Sequence, residues 1–284
     1  MASQAEESGW DLIIEPPKGW FALHLRDLWR YRDLTGLFVR RDFVASYKQT
    51  VLGPLWHIIQ PLLTTLMFTV VFGRIAGLPT DGVPQFLFYM AGTTVWSYFA
   101  QCLTRTSTTF IANAGIFGKV YFPRMVVPVS VVMSQLIGFA IQFVFFLAFY
   151  ALFWAKGASI HPNWAVSLVP LLLVLMAGLG LGFGIIISSL TTRYRDLQVL
   201  VAFGVQLWMY ATPVIYPLST MGKYRWIIVA NPMTAIVETF RYGFFGTGTF
   251  SWVYLAYSAG FMLTLLLAGM AIFNRVERTF MDTV

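Results

Sequence analysis

Six stretches of this chain contain no Asp, Glu, Lys or Arg: residues 55–72, 86–103, 126–154, 164–190, 197–215 and 252–273. Each is about 18 residues or longer, and at 1.5 Å per residue that is enough helix to cross about 30 Å of hydrocarbon. Every charged residue falls between or outside them. A soluble bundle must coat its surface with charge. A chain that is 58% hydrophobic and 11% charged has no such coat. The pattern predicts an all-α membrane protein with six transmembrane helices spread over residues 50–284.

Lysine and arginine set the orientation. An even number of spans leaves both termini on one side, and fourteen basic residues collect there against five on the other. The positive-inside rule then predicts cytoplasmic termini in a multi-pass membrane protein. The first residues are acidic and precede no apolar core, so no cleavable signal peptide is expected. Residues 1–17 read as a disordered tail ending at Pro16-Pro17.

Two segments are not plain loops. Residues 18–49 are basic and amphipathic, with Phe21, Leu25, Leu28 and Trp29 on one helical face. They predict a helix lying in the cytoplasmic interface, anchored by Trp20 and Trp29. A basic surface helix is the alternative. Residues 217–250 are too long for a bare loop. Pro217, Asn231-Pro232 and late glycines divide them. They predict two short re-entrant helices between spans five and six, about 220–229 and 234–245. These carry Arg225, Trp226, Glu238 and Arg241 over a channel mouth as an exit gate. A hairpin resting on the outer surface is the alternative.

Several chemistries are excluded. The stretch "NAGIFGKVYFPR" (113–124) offers two glycines and a lysine, but a phosphate loop needs four residues between its glycines, then Lys and Ser or Thr. Only Ile116 and Phe117 lie between Gly115 and Gly118, and Val120 follows Lys119. No acidic residue between Asp81 and Asp196 is present to hold magnesium. The three histidines have no metal-ligand spacing, so no metal is expected. Ion-coupled transport usually places carboxylates inside the membrane, and no span has one. Glycosyl transfer is poorly served, since Asp196 and Glu238 each stand alone on opposite predicted sides. The chain reads as a pore whose engine is elsewhere.

The spans do carry neutral polar groups. His57, Gln60 and Thr64 share a face of span one; Tyr89, Thr93 and Trp96 line up on span two; Gln206 and Tyr210 do so on span five beside Trp208. Amides, hydroxyls and flat aromatic rings suit a sugar chain as channel lining. Ordinary interhelical hydrogen bonds would use the same residues. Gly178, Gly180, Gly182 and Gly184 on span four form small-xxx-small pairs that permit close packing within or between protomers.

Three motifs carry a family likeness: "SYKQTVLGPLWHIIQPLL" (46–63), "GIFGKVYFPRMVVP" (115–128) and "NPMTAIVETFRYGFFGTG" (231–248). They resemble the type-2 ABC export permeases, and within them the branch exporting O-antigen, capsule and wall teichoic acid. The resemblance runs from about Arg26 to the C-terminus. It implies a six-helix half-transporter that homodimerises, pairs with two copies of a cytosolic ATPase, and threads an undecaprenyl-diphosphate-linked glycan through a channel among membrane lipids. It implies no nucleic acid, and no cofactor in this chain, ATP and magnesium being the partner's. The loop after span two, about 112–121, would be the coupling helix that docks on the ATPase through Asn113, Gly115, Phe117, Gly118, Lys119 and Tyr121. Phe117 and Tyr121, four apart, are expected to be exposed anchors. Arg40, Arg41 and Lys48 lie where the lipid diphosphate would begin its passage. The alternatives are another type-2 exporter, moving a drug or lipid, and a membrane-embedded glycosyltransferase or polymerase.

Overall fold

The computed structural model describes residues 29–48, 52–117, 122–191, 194 and 196–279. The tail 1–17, residues 18–28 of the amphipathic segment, and Gly118, Lys119 and Tyr121 lie outside the described residues. Every described element is helical. Helix α1 is Arg32–Tyr47, set off from Trp29 and Arg30 by a turn at Tyr31. Helix α2, Trp56–Phe68, continues through a π-helical stretch, Thr69–Ile75. Next come α3 (Gln85–Ser107), α4 (Thr109–Phe117) and α5 (Val126–Ala155). A 3-10 turn, Trp164–Leu168, leads into α6 (Val169–Thr191), followed by α7 (Leu197–Tyr210). A second 3-10 turn, Leu218–Tyr224, precedes α8 (Arg225–Val229), α9 (Pro232–Phe245) and α10 (Trp252–Thr279).

Among the described residues, four stretches are long and apolar enough to cross a membrane: Trp56–Ile75, Val126–Ala155, Trp164–Thr191 and Trp252–Phe273. That differs from the expected six. Helix α3 has the length, at 23 residues, but its apolar face alternates with Thr93, Ser97, Gln101 and Thr104. Helix α7 stops at Tyr210, because residues 211–214 turn where the uncharged stretch runs on to 215. Its 14 residues span about 21 Å.

The core is built around α3, which packs against α6, α5, α2 and α9. The glycines of α6 explain how. A Cβ at Gly180 would stand 2.5 Å from the Cys102 Cβ of α3, and Gly184 faces Thr106 one turn on. Gly178 and Gly182 face Met262 and Leu265 of α10 instead. One helix thus presents two glycine faces to two neighbours, all within the chain, and both backbones approach closely.

The second surprise is α9. Every residue of it but Tyr242 is buried. Asn231 caps it by accepting from the Met233 amide at 3.0 Å, Pro232 takes the first turn, and Gly246 ends it at φ 73°. Its last carbonyls receive donors from elsewhere: the Tyr150 hydroxyl donates to Phe244 O at 2.9 Å, and the Asn163 amide to Tyr242 O at 2.8 Å. Within α9, Glu238 and Arg241 form an ion pair at 3.6 Å, with 3% and 2% of their side chains exposed. Arg241 also donates to Pro213 O and Val214 O and lies over the Phe88 ring at 3.7 Å. Glu238 therefore does not stand alone, and neither charge reaches the surface. The two residues share a helix face at i and i+3, and burial forces them to neutralise each other.

Candidate channel surface

A cavity of about 980 Å³ opens between α2, α3 and α5 and ends against α1 and α4. Helix α3 supplies a polar stripe down its length, Thr93, Ser97, Gln101, Thr104 and Arg105, with Thr108 just past its end. These recur every three or four residues, which keeps them on one face. From Thr93 to Thr108 the stripe runs about 22 Å. Helix α2 adds His57, Gln60, Pro61 and Thr64; α5 adds Ser134, Gln135 and Gln142.

The lining is ordered by its own hydrogen bonds. The Ser97 hydroxyl donates to Gln142 Oε1 at 2.6 Å, joining α3 to α5. The Thr65 and Thr93 hydroxyls meet at 3.3 Å, joining α2 to α3. Gly138 of α5 leaves space for the His57 ring, since a Cβ there would stand 3.0 Å from it. Trp96 meets Trp208 edge-on at 6.2 Å and closes the side toward α7. At the other end the charged side chains are Arg41, Asp42 and Arg105.

Of the sequence-predicted channel residues, His57, Gln60, Thr64 and Trp96 come together here. Tyr89 does not. It lies one turn before Thr93 on the same face of α3, beyond the reach of the cavity, and is fully buried against Phe68 and Phe88. Gln206 and Tyr210 are exposed on α7 away from the cavity, and Trp208 is wedged among Trp96, Phe99 and Phe183. Arg225 and Trp226 are exposed on α8, whereas Glu238 and Arg241 are interior. Arg40 on α1 and Lys48 just past its end are exposed but do not line the cavity, whereas Arg41 does. Sequence reasoning missed Ser97, Gln101, Arg105, Ser134, Gln135 and Gln142. The signal was present: extending the Thr93 face of α3 by steps of three and four reaches 97, 101 and 105.

Helix α4 carries Asn113, Gly115 and Phe117. Asn113 Oδ1 accepts from the Arg41 guanidinium at 3.3 Å, which ties α4 to α1. Phe117 is not an exposed anchor. It is 4% exposed and packs on Phe110 and Phe122, with Phe38 of α1 beyond, its ring tilted against Phe122 at 5.7 Å. A nine-residue helix cannot bury a hydrophobic face alone, so its aromatic side turns inward. Among the described side chains of α4, the exposed ones are small: Ala112 and Gly115, three apart on the opposite side.

A long helical bundle with a polar cavity, neutral along most of its length and charged at one end, is the frame of a membrane permease. The chain belongs to the ABC-2 type transporter family, matched over residues 34–245. It is similar to the O-antigen export system permease protein RfbA of Klebsiella pneumoniae, 31% identical over 88% of this chain and 94% of the relative. The protein of the same name from Myxococcus xanthus is 28% identical over 92% and 98%. The polysialic acid transport protein KpsM of Escherichia coli is 23% identical over 86% and 93%.

Proposed function

We propose that this protein is the membrane permease subunit of an ATP-driven exporter of a lipid-linked cell-surface polysaccharide. The similarity to the O-antigen export permeases, across nearly the whole of both chains, carries the reading. The cavity lining supports it. Amides and hydroxyls from three helices, beside an indole face, can exchange hydrogen bonds with a sugar chain without holding it tightly.

In this proposal six segments span the membrane: the four long apolar helices, α3 and α7. Both termini are cytoplasmic, and the cavity is one half of a channel completed by a second copy. Helix α4 is the coupling element for a separate cytosolic ATPase, of which two copies bind. Ala112 and Gly115 leave a face that a cleft in the partner can approach closely. Movement of α4 then reaches α1 through the Asn113–Arg41 hydrogen bond and the Phe117–Phe122–Phe38 ring contacts. The helices α8 and α9 lie at the far end as the exit gate. With α9 locked in the core, the moving part of the gate is the exposed 3-10 turn and α8.

Deleting the gene should abolish surface glycan and leave lipid-linked glycan in the inner leaflet, restored by the wild-type chain. Purified alone, the chain should hydrolyse no ATP, and hydrolysis should appear only when its cytosolic ATPase co-purifies. Turnover by a preparation free of partner, or unchanged surface glycan in the deletion strain, would overturn the proposal. Loss of drug resistance with normal glycan would point to the drug-exporting branch.

A further inference from the structure

We propose that Arg105 is a phosphate-binding residue, placed at the charged end of the cavity to hold the phosphate of a lipid-linked substrate; this rests on the export function proposed above. Two arginines line that end, and they are in different states. Arg41 is engaged: it reaches Asp42 at 2.8 Å and Asn113 at 3.3 Å, and lies over the Phe38 ring at 4.6 Å. Its charge is offset by the carboxylate, and its geometry serves the link between α1 and α4. Arg105 is exposed and its carbonyl accepts from the Thr108 hydroxyl at 3.1 Å, but its guanidinium makes no hydrogen bond or ion pair among the described residues. A guanidinium left open over a polar cavity presents a planar fork of donors, which matches two phosphate oxygens at once.

Position strengthens the assignment. Arg105 occupies the last turn of α3, on the same face as Gln101, Ser97 and Thr93. Along that face the lining changes from cationic to neutral within one turn. A lipid-linked glycan has the same order, an anionic phosphate at one end and neutral hydroxyls beyond it. Binding the phosphate at Arg105 would set the first sugars against Gln101 and Ser97. The arginines picked from sequence, Arg40 and Arg41, are exposed outside the cavity and held by Asp42 respectively. A basic residue near a membrane also attracts phospholipid headgroups, so the probe must separate the two sources of phosphate.

The chain with its ATPase partner would be placed in phosphatidylcholine nanodiscs and titrated with a long-chain polyprenyl diphosphate, inorganic pyrophosphate or phosphatidylglycerol. Arg105→Gln is expected to weaken polyprenyl diphosphate binding by about tenfold. Arg105→Lys should fall between, and Arg40→Gln should stay near wild type. Phosphatidylglycerol binding should not change in any of them. Melting temperatures check that each variant is folded. Wild-type affinity in Arg105→Gln would overturn the inference. So would equal losses for phosphatidylglycerol, or pyrophosphate binding as tightly as the lipid form. Glycan export by the wild-type chain, followed in parallel, separates the two levels. If it exports and Arg105→Gln binds normally, only this inference fails. If it exports no glycan, the functional proposal fails and this one with it.

Discussion

Replacing Arg241 with Met is expected to cost about 3–5 kcal/mol of stability, because it leaves the Glu238 carboxylate buried without its counter-charge. It also strips the donors from Pro213 O and Val214 O, which hold residues 211–217 against α9. A buried carbonyl without a donor adds its own penalty. Arg241→Lys should recover only part, since one ammonium cannot span two carbonyls and Glu238 together. The double change Glu238→Gln with Arg241→Met should be more stable than Arg241→Met alone, because no charge is left buried. Thermal unfolding in detergent, followed by tryptophan fluorescence, gives the comparison. If Arg241→Met melts like the wild type, the pair does not hold this end of the bundle together. If the double change is no better than the single one, the unpaired carboxylate is not the source of the loss.

The fate of Arg241 shows what the sequence could and could not convey. Charge sorting marked the long apolar segments, because a charge inside hydrocarbon is costly enough to leave a visible gap in the sequence. The same logic misled at α9. Glu238 and Arg241 were expected on a re-entrant helix over a channel mouth, but opposite charges at i and i+3 can cancel inside a protein core. The division of 217–250 into two helical pieces was legible from Pro217, Asn231-Pro232 and the late glycines. Its burial was not, because depth depends on which elements close over a helix. Here those are α3, α10 and the turn preceding α6.

The channel surface divides along similar lines. His57, Gln60 and Thr64 could be grouped because they share a face within one helix, and α2 keeps that face toward the cavity. Tyr89 was grouped with Thr93 and Trp96 on spacing alone. The spacing was right, since Tyr89 shares their face of α3, but one turn beyond Thr93 that face is covered by Phe68 and the cavity does not reach it. Phe117 failed for a related reason. An aromatic residue on a short helix in a basic loop looks exposed until α1, distant in sequence, covers it through Phe38 and Phe122. Tertiary partners of this kind carry no local signal.

The glycines of α6 make the sharpest test of the packing. Gly180→Ala places a Cβ 2.5 Å from the Cys102 Cβ and 3.2 Å from backbone atoms of Phe99 and Leu103. The closest of these is a carbon fixed to a helix backbone, so no rotamer change relieves it. The helices must separate, and overpacking of this kind costs about 1–3 kcal/mol. Gly180→Ala should reach the upper end, because α3 is held on its other sides by α2, α5 and α9. Ala would normally stabilise a helix by about 1 kcal/mol over Gly, so a loss here runs against intrinsic propensity. Cys102→Gly removes the opposing carbon at its own cost in helix propensity and packing. The double variant, Gly180→Ala with Cys102→Gly, should then melt no lower than Cys102→Gly alone. The two substitutions would show a strong favourable coupling in a double-mutant cycle. Strict additivity would mean that α3 and α6 do not meet at this pair.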